Sequence, residues 1–507
     1  MSQDELPAPL ADGFTMMLEG EEASHRLAQD FAVVMRTGDM LALSGELGAG
    51  KTTFARALLR HLAGDDALEV PSPTYTLVQT YETRPKATHF DLYRIGGEDD
   101  LVELGFEEAA ETGLVLVEWP ERSTLVMEEA NIHLTLSGDS PERREATVLL
   151  TPEAAARVER SLAVRAFLRA AGHGTAHRRP FPADASARRY EHIENADASL
   201  VLMDAPANGP VSDAARLYAQ TAHLAQEVLP FVALAETLEA RGFSTPHIVA
   251  ADLSAGLVLM EYLGDEGILD AAGRPIAERY EAAALCLAEL HARPFGRHVE
   301  TSDGLAYEIP DFDRAAMMVE VGLLVDWAFP RIKGRRASEE ERAAFANVWN
   351  SVFDALAGTE TNLLLRDFHS PNILWQGERE GCRRIGLLDF QDAMIGPTAY
   401  DLASLAQDVR VDMPAELEAR LLAAYRAARS TAGPFDTPGF DAAYAAMAAQ
   451  RATKILGIFV RLHERDGKPQ YLRHLPRIRA YLRRTLGHPV LAPVAALYEE
   501  WGILADD

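Results

Sequence analysis

The sequence predicts two domains of different fold class: an α/β domain at the N-terminal end and an α+β, two-lobed domain after it. Three observations predict this. Gly45-Glu46-Leu47-Gly48-Ala49-Gly50-Lys51-Thr52 spells a P-loop directly after a short apolar run. Far downstream, Asp367 and Asn372, followed by Asp389-Phe390, have the order and spacing of a kinase catalytic core. And a chain of 507 residues is too long for one ordinary core. A P-loop and a kinase core do not share a fold, so the pair requires two nucleotide sites: an α/β P-loop NTPase domain over 1–152, and a kinase-like phosphotransferase domain over 173–487.

Taken in order, Met40-Leu41-Ala42-Leu43-Ser44 is a strand leading into the P-loop, and Thr52 to Leu62 is a helix with Phe54, Leu58, Leu59 and Leu62 on one face. Gly113 to Glu118 is a buried strand ending on a carboxylate. Asn131 to Leu136 and Ala146 to Leu150 alternate and form an antiparallel closing pair. Beyond Thr151-Pro152 an Ala/Arg-rich amphipathic helix, Glu153 to Ala171, ends at Gly172 and links the domains across residues 153–172. The rest reads as strand-rich to about residue 262 and helix-rich afterwards, the asymmetry of a two-lobed kinase. Residues 488–507 form an acidic C-terminal tail, either a docked helix or frayed.

Bulk properties narrow the function classes. Hydrophobic residues make up 48% and charged residues 25%, as in a globular protein. No apolar run is long enough to span a bilayer, the start Met1-Ser2-Gln3-Asp4-Glu5 lacks the order of a signal peptide, and Cys286 and Cys382 are the only cysteines. Cytoplasm is the expected compartment, with no membrane partner. The net charge of −28 opposes unaided binding of DNA or tRNA.

In a P-loop, backbone N–H groups and a helix N-terminus surround the phosphates, the Lys reaches the β/γ oxygens and the hydroxyl residue coordinates Mg²⁺. Lys51 and Thr52 fill these roles, within a cradle of Gly45, Gly48, Gly50 and Thr53. The site also needs a carboxylate on a neighbouring strand end, and Glu118 is the candidate. The ordered motifs Gly45 to Thr53, Ser72-Pro73-Thr74-Tyr75, His89-Phe90-Asp91-Leu92-Tyr93-Arg94, Glu103-Leu104-Gly105 and Glu118-Trp119-Pro120-Glu121 resemble the TsaE family. TsaE is the ATPase subunit of the bacterial machinery that makes threonylcarbamoyladenosine in tRNA. The resemblance covers about the first 150 residues. It implies that Lys51 and Thr52 bind ATP and Mg²⁺, that Glu118 stands on the metal side, that Asp91 is needed for hydrolysis and that Trp119 lies beside the nucleotide. It also makes Ser72 to Tyr75 a switch-like segment, and a TsaB–TsaD complex the partner that holds tRNA, which this chain would meet only indirectly.

Kinase-fold phosphotransfer needs a carboxylate to orient and deprotonate the attacking hydroxyl, and an Asn and a further Asp to hold Mg²⁺ on ATP. Asp367 is the candidate base, with Asn372 and Asp389 on the metal. Leu365 stands where a His usually precedes Arg-Asp. No lysine occurs between Lys86 and Lys333, so the strand Ser199 to Asp204 lacks the phosphate-pairing lysine. Either the domain is a pseudokinase or arginine takes over, and Arg188 and Arg189, one strand earlier, are the candidates. Asp184-Ala185-Ser186-Ala187-Arg188-Arg189-Tyr190, Leu202-Met203-Asp204-Ala205-Pro206, Arg366 to Asn372, Asp389-Phe390-Gln391-Asp392, Gly396-Pro397 with Tyr400-Asp401-Leu402, and Gly457-Ile458-Phe459 with Arg465-Asp466-Gly467-Lys468 are similar to the AmgK-type sugar kinases of the aminoglycoside phosphotransferase superfamily. Those enzymes phosphorylate the anomeric hydroxyl of N-acetylmuramate and N-acetylglucosamine in cell-wall recycling. The resemblance implies an amino-sugar substrate, and methionine-aspartate in the lysine strand belongs to that subgroup's pattern. Ala187 and Leu365 depart from it and leave substrate choice open.

Around the core, His369 is placed to contact substrate, and Tyr471, Arg473 and Arg477 either line an acceptor pocket or form a solvated helix face. His291 reads as a packing histidine. Three functions stay open for the second domain: a sugar kinase, a nucleotide-sensing pseudokinase that regulates the ATPase, and an aminoglycoside kinase. A protein kinase fits least, because Gln391 replaces the glycine after Asp389-Phe390.

Overall fold

Met40–Ser44 is apolar and buried from Met40 to Leu43 because both its faces are covered, and it forms the centre of a seven-stranded sheet. The computed structural model describes residues 12–505 except 141, 182–187, 197 and 207–211. The Asp184 to Ala187 part of the second motif set and the acidic start Met1 to Glu5 lie outside them. Packing divides the chain after Asp204 into two units.

In the first unit the strands are β1 (Asp12–Glu19), β2 (Met40–Ser44), β3 (Val78–Tyr81), β4 (Ala87–Asp91), β5 (Leu114–Glu118), β6 (Ile132–Ser140) and β7 (Arg143–Leu150), in sheet order β1-β7-β6-β2-β5-β4-β3. β2 runs parallel to β5 and β6, and β4 parallel to β5, so the C-terminal ends of β2, β4 and β5 meet at one edge. β6 and β7 pair antiparallel with Ile132 opposite Leu150, the expected closing pair. Helices α1 (Gly20–Ala32) and α2 (Lys51–Ala63) pack on one face, with Phe31 edge-on to Phe54 at 5.9 Å. Short helices α3 (Glu98–Glu103), α4 (Phe106–Thr112) and α5 (Thr124–Glu129) follow, and Phe106, Leu101 and Val126 enter a core cluster with β4 and β5.

The linking helix α6 (Pro152–Ala170) opens on Pro152 after Thr151, and it is not a free tether. Arg157 forms a bidentate pair with Asp39 at 2.7 and 2.8 Å, both buried. About two turns further on, Arg165 donates to Asp30 of α1 at 2.9 Å. Strands β8 (His177–Pro180), β9 (Arg189–Glu194) and β10 (Ser199–Asp204) then pair antiparallel. Arg178 of β8, only 1% exposed, donates to the same Asp30 oxygen at 2.8 Å and bidentately to Glu191 of β9 at 2.7 and 2.8 Å. The two guanidiniums and two carboxylates neutralise each other, so β8 and β9 are tied to the P-loop fold by a closed, buried charge set.

The second unit holds strands β11 (Ile248–Asp252) and β12 (Leu257–Glu261), the short hairpin β13 (His298–Glu300) and β14 (Ala306–Glu308), and the pairs β15 (Thr361–Leu364) with β18 (Met394–Pro397) and β16 (Ile373–Trp375) with β17 (Ile385–Leu387). The expectation of a strand-rich stretch to residue 262 is corrected by helices α7 (Asp213–Thr221) and α8 (Leu229–Ala240). In α8, Pro230 to Ala235 are all buried, so the segment shows no amphipathic stripe and reads as a buried strand. The remaining helices are α9 (Ala277–Ala292), α10 (Arg314–Leu323), α11 (Phe329–Lys333), α12 (Glu339–Asp354), α13 (Ala399–Ala406), α14 (Ala415–Ala432), the long α15 (Thr437–Glu464), α16 (Leu475–Thr485) and α17 (Ala492–Trp501). Of the two readings of the C-terminal tail, the docked helix holds: in α17, Tyr498 and Trp501 are buried against Phe345 of α12, and Trp349 donates to the Tyr498 hydroxyl at 3.2 Å. Among the described residues no helix is long and apolar enough to cross a membrane.

Removing the Asp30 charge leaves the buried Arg165 without a carboxylate and Arg178 with Glu191 alone, so Asp30→Asn is expected to destabilise the first unit by about 3–5 kcal/mol. Urea unfolding of the full chain measures it, and a loss below about 1 kcal/mol, the scale of an exposed pair, would refute the role given to Asp30.

Candidate functional sites

The P-loop site stands at the sheet edge where β2, β4 and β5 end. β2 delivers Gly45 and the loop, and α2 starts at Lys51. Gly45 is obligatory there: its φ is +138°, and a Cβ would lie 2.3 Å from the Leu136 carbonyl oxygen. Lys51 is buried, its ammonium turned into the loop to donate to the carbonyls of Gly45 at 2.7 Å and Glu46 at 3.0 Å, with the Trp119 ring 3.7 Å away. Burial pushes its pKa down against the pull of Glu118, Glu121 and Asp91.

Parallel register sets Asp91 beside Glu118 at the ends of β4 and β5. Thr52 donates its hydroxyl to Glu118 at 2.9 Å, which brings together the hydroxyl and carboxylate that the sequence nominates for Mg²⁺. Asp91 accepts from the hydroxyls of Ser72 at 3.1 Å and Thr74 at 2.8 Å, so the candidate switch segment is fastened to it. Trp119 follows at φ +62°, a left-handed conformation for a bulky residue that turns its ring over Lys51.

One participant was not singled out. His89 is fully buried and its Nε2 lies 3.0 Å from the second Glu118 oxygen. A carboxylate oxygen accepts, so Nε2 donates to it, and Nδ1 is buried with no partner among the described residues. The period of two along β4, which puts His89 on the face of Asp91, is the signal that could have found it.

In the second unit the catalytic loop joins β15 to β16. Asn372 donates to the Asp367 carbonyl at 3.0 Å and to an Asp389 carboxylate oxygen at 3.1 Å, so the candidate base and metal ligands form one cluster. Asp389 has φ +58° and also accepts from Gln391 at 2.7 Å. Phe390 stacks on Phe231 of α8, centroids 5.0 Å apart, and anchors the strained turn. Arg188 and Arg189 stand at the head of β9, in the first unit. Asp204 of the lysine-less strand is buried and accepts from Arg160 of α6 at 2.6 Å.

The prop lost with the His-to-Leu365 change has a replacement. The buried Asp401 carboxylate of α13 accepts from the backbone N–H groups of Leu365 and Arg366, the latter at 2.9 Å. Arg366, at φ +70°, is buried against Glu320 of α10, which also takes Lys454 at 2.7 Å and Gln450 at 2.8 Å from α15. Neither Asp401 nor Glu320 was singled out as supporting the loop. Burial pushes the Asp367 carboxyl up, but His369 and the cations Lys454, Arg366 and Arg451 outweigh it and hold it below the ordinary carboxylate range. His369 is itself driven down to about 4 by burial, so near neutral pH the three cations do the holding. His369 is buried, with Nε2 3.7 Å from Asp367. Arg477 is engaged by Asp412 and the Val409 carbonyl, and Tyr471 packs beside Phe459.

The geometry defines a P-loop nucleotide site in the first unit and a kinase-fold phosphotransfer centre in the second. The chain matches the family of the threonylcarbamoyl adenosine biosynthesis protein TsaE over residues 18–146 and the phosphotransferase enzyme family over residues 177–443, and it belongs to both. It is an enzyme of ATP hydrolysis and ATP-dependent phosphotransfer. It is 36% identical over 356 residues to an N-acetylmuramate/N-acetylglucosamine kinase of Caulobacter vibrioides, covering 68% of this chain and 97% of that one. At the other end it is 41% identical over 107 residues to a tRNA threonylcarbamoyladenosine biosynthesis protein TsaE of Rickettsia felis, 21% of this chain and 62% of that one. A Rickettsia prowazekii TsaE protein is 41% identical over 106 residues, 20% of this chain and 72% of that one.

Buried His291 behaves as the packing histidine expected. Its Nε2 faces the Leu363 carbonyl of β15 at 3.1 Å and its Nδ1 the Tyr425 hydroxyl at 2.8 Å, so the ring is neutral, donating from Nε2 and accepting at Nδ1. Burial drives its pKa from 6.5 down to about 3. The native state therefore binds fewer protons than the unfolded one between those values, and its contribution to stability is full above pH 6.5 and lost as pH falls towards 3. Urea midpoints across that range are expected to fall with acidity and to fall less steeply in His291→Gln; parallel slopes would refute the assignment.

Proposed function

We propose that the chain is bifunctional: its first 152 residues act as the ATPase of the tRNA threonylcarbamoyladenosine machinery, and residues 173–487 phosphorylate the anomeric hydroxyl of N-acetylmuramate and N-acetylglucosamine. The observation that carries the second assignment is the Asp367–Asn372–Asp389 cluster, in a chain that spans nearly the whole of a kinase with that specificity. The amino-sugar acceptor comes from the relatives' names. On the ATPase side, a TsaB–TsaD type complex is the partner, and tRNA is met only through it.

Asp367 orients the sugar hydroxyl. The oxygen attacks the γ-phosphorus of ATP, the bond to the β–γ bridging oxygen breaks, and the hydroxyl proton passes to Asp367. A carboxylate held at low pKa is a weak base, which suits a loose transition state in which proton transfer comes late and positioning does most of the work. Asn372 and Asp389 would hold Mg²⁺, as would Thr52 with Glu118 in the other site. Each pair supplies few ligands, so a bound Mg²⁺ would draw on the nucleotide's phosphates as well, the usual habit of that ion. When bound, the ion neutralises charge on the phosphates. Arg188 and Arg189 take the place of the lysine as phosphate ligands.

With ATP and N-acetylmuramate, Asp367→Asn is expected to lower kcat by about 10²–10⁴-fold. Sugar phosphate formed at the wild-type rate by that variant, or no turnover of either sugar by the wild type, would sink the assignment. The two sites have separate ligands, so Lys51→Ala is expected to abolish P-loop hydrolysis and leave sugar phosphorylation at the wild-type rate; a folded Lys51→Ala chain lacking both activities would show that the sites are coupled.

A further inference from the structure

The P-loop is flanked by the β6–β7 pair at both its ends. Gly45 abuts the Leu136 carbonyl of β6, and at the other end a Cβ on Gly50 would lie 3.3 Å from the guanidinium carbon of Arg144 in β7, with its Nε at 3.4 Å and one terminal nitrogen at 3.5 Å. Gly50 has φ +102° and caps α2 directly before Lys51. Glycines at such points let phosphate come against the backbone, so the volume over the Gly50 Cα belongs to the phosphate cradle.

The strand pattern explains how Arg144 arrives there. Ala146, Val148 and Leu150 alternate into the core beside Phe54 and Leu58 of the P-loop helix. Arg144 continues that face one step further towards the loop, opposite Leu18 of β1. Its half-buried side chain has no hydrogen-bond or ion-pair partner among the described residues, and the solvent-exposed Glu142 is an acid within its electrostatic reach. A guanidinium brought to the rim of an anion site by a core-facing register, with its neighbouring acid out in solvent, is placed for an anionic ligand.

We infer that Arg144 is a phosphate-binding residue of the P-loop site, contacting the α/β-phosphates of the bound nucleotide from the side opposite the strand-end carboxylates. This rests on the reading of the P-loop as an ATP site. The loop's backbone N–H groups cradle the α/β-phosphates while Lys51 reaches the β/γ oxygens, so a contact beside Gly50 serves ADP and ATP alike.

Trp119, next to Lys51, reports on this site. Its emission during ADP titration of the full chain, after subtraction of the same titration of Trp119→Phe, separates the P-loop from the second nucleotide site. Arg144→Gln is expected to raise the Kd for ADP about tenfold, as for loss of one charge-assisted contact, with Arg144→Lys in between and kcat for ATP hydrolysis at saturation little changed. An unchanged Kd in Arg144→Gln would overturn the inference. So would a lowered Kd, which would make the guanidinium an obstruction over the loop. Unchanged ADP affinity with a collapsed kcat would also overturn it, placing Arg144 on the γ-phosphate. A wild-type chain that binds no ADP here would remove the ATP-site reading itself.

Discussion

A single carboxylate, Asp30, decides how the middle of this chain is built. It sits on α1, which packs against the P-loop helix, and it accepts from a guanidinium on the linking helix and from another on β8. Arg178 could not be buried without Asp30 and Glu191, and Glu191 could not be buried without Arg178. The consequence is architectural. Strands that the family match assigns to the phosphotransferase, from residue 177 onward, lie in the same packed unit as the ATPase fold. The stretch that joins the P-loop fold to β8 and β9 is thus held by buried, mutually satisfied charge.

Both sites also share a way of handling phosphate that has little to do with their different folds. Each places backbone in the left-handed region at the point where chemistry is needed. Gly45, Gly48 and Gly50 do this without penalty, whereas Trp119, Arg366 and Asp389 do it as residues with side chains. Such conformations cost about 1–3 kcal/mol each and persist only where packing over-determines them. The restraints are visible: Lys51 under the Trp119 ring, Glu320 and Asp401 around Arg366, and Asn372 and Gln391 on Asp389.

Local pattern carried the parts that were legible in the sequence. β2, the loop and α2 follow from an apolar run, glycines and a helical stripe that sit next to one another in the chain. Glu118 was legible because the strand bearing it ends on it. What the sequence hid was everything settled at long range. Asp401 reaches back 35 residues to Arg366, Glu320 meets Lys454 across 134, and Arg178 meets Asp30 across 148. No spacing rule links such pairs, since each is joined only when helices dock. Helix α8 was hidden for the opposite reason, because full burial erased the periodicity that marks a helix.

The missing lysine can now be placed in a physical setting. With no lysine between residues 86 and 333, every cation on β8 to β10 apart from histidine is a guanidinium. Arg178 is committed to Asp30 and Glu191. Arg189 lies directly across the strand pair from Asp204, a carboxylate that would repel any phosphate brought to that spot. Arg160 of the linking helix answers that problem by taking the Asp204 carboxylate at 2.6 Å. On the reading that Arg188 and Arg189 meet phosphate, neutralising Asp204 is what keeps the field beside them positive. The linking helix thus holds the Asp204 carboxylate of β10 through Arg160 and the core of the P-loop fold through Arg157 and Arg165.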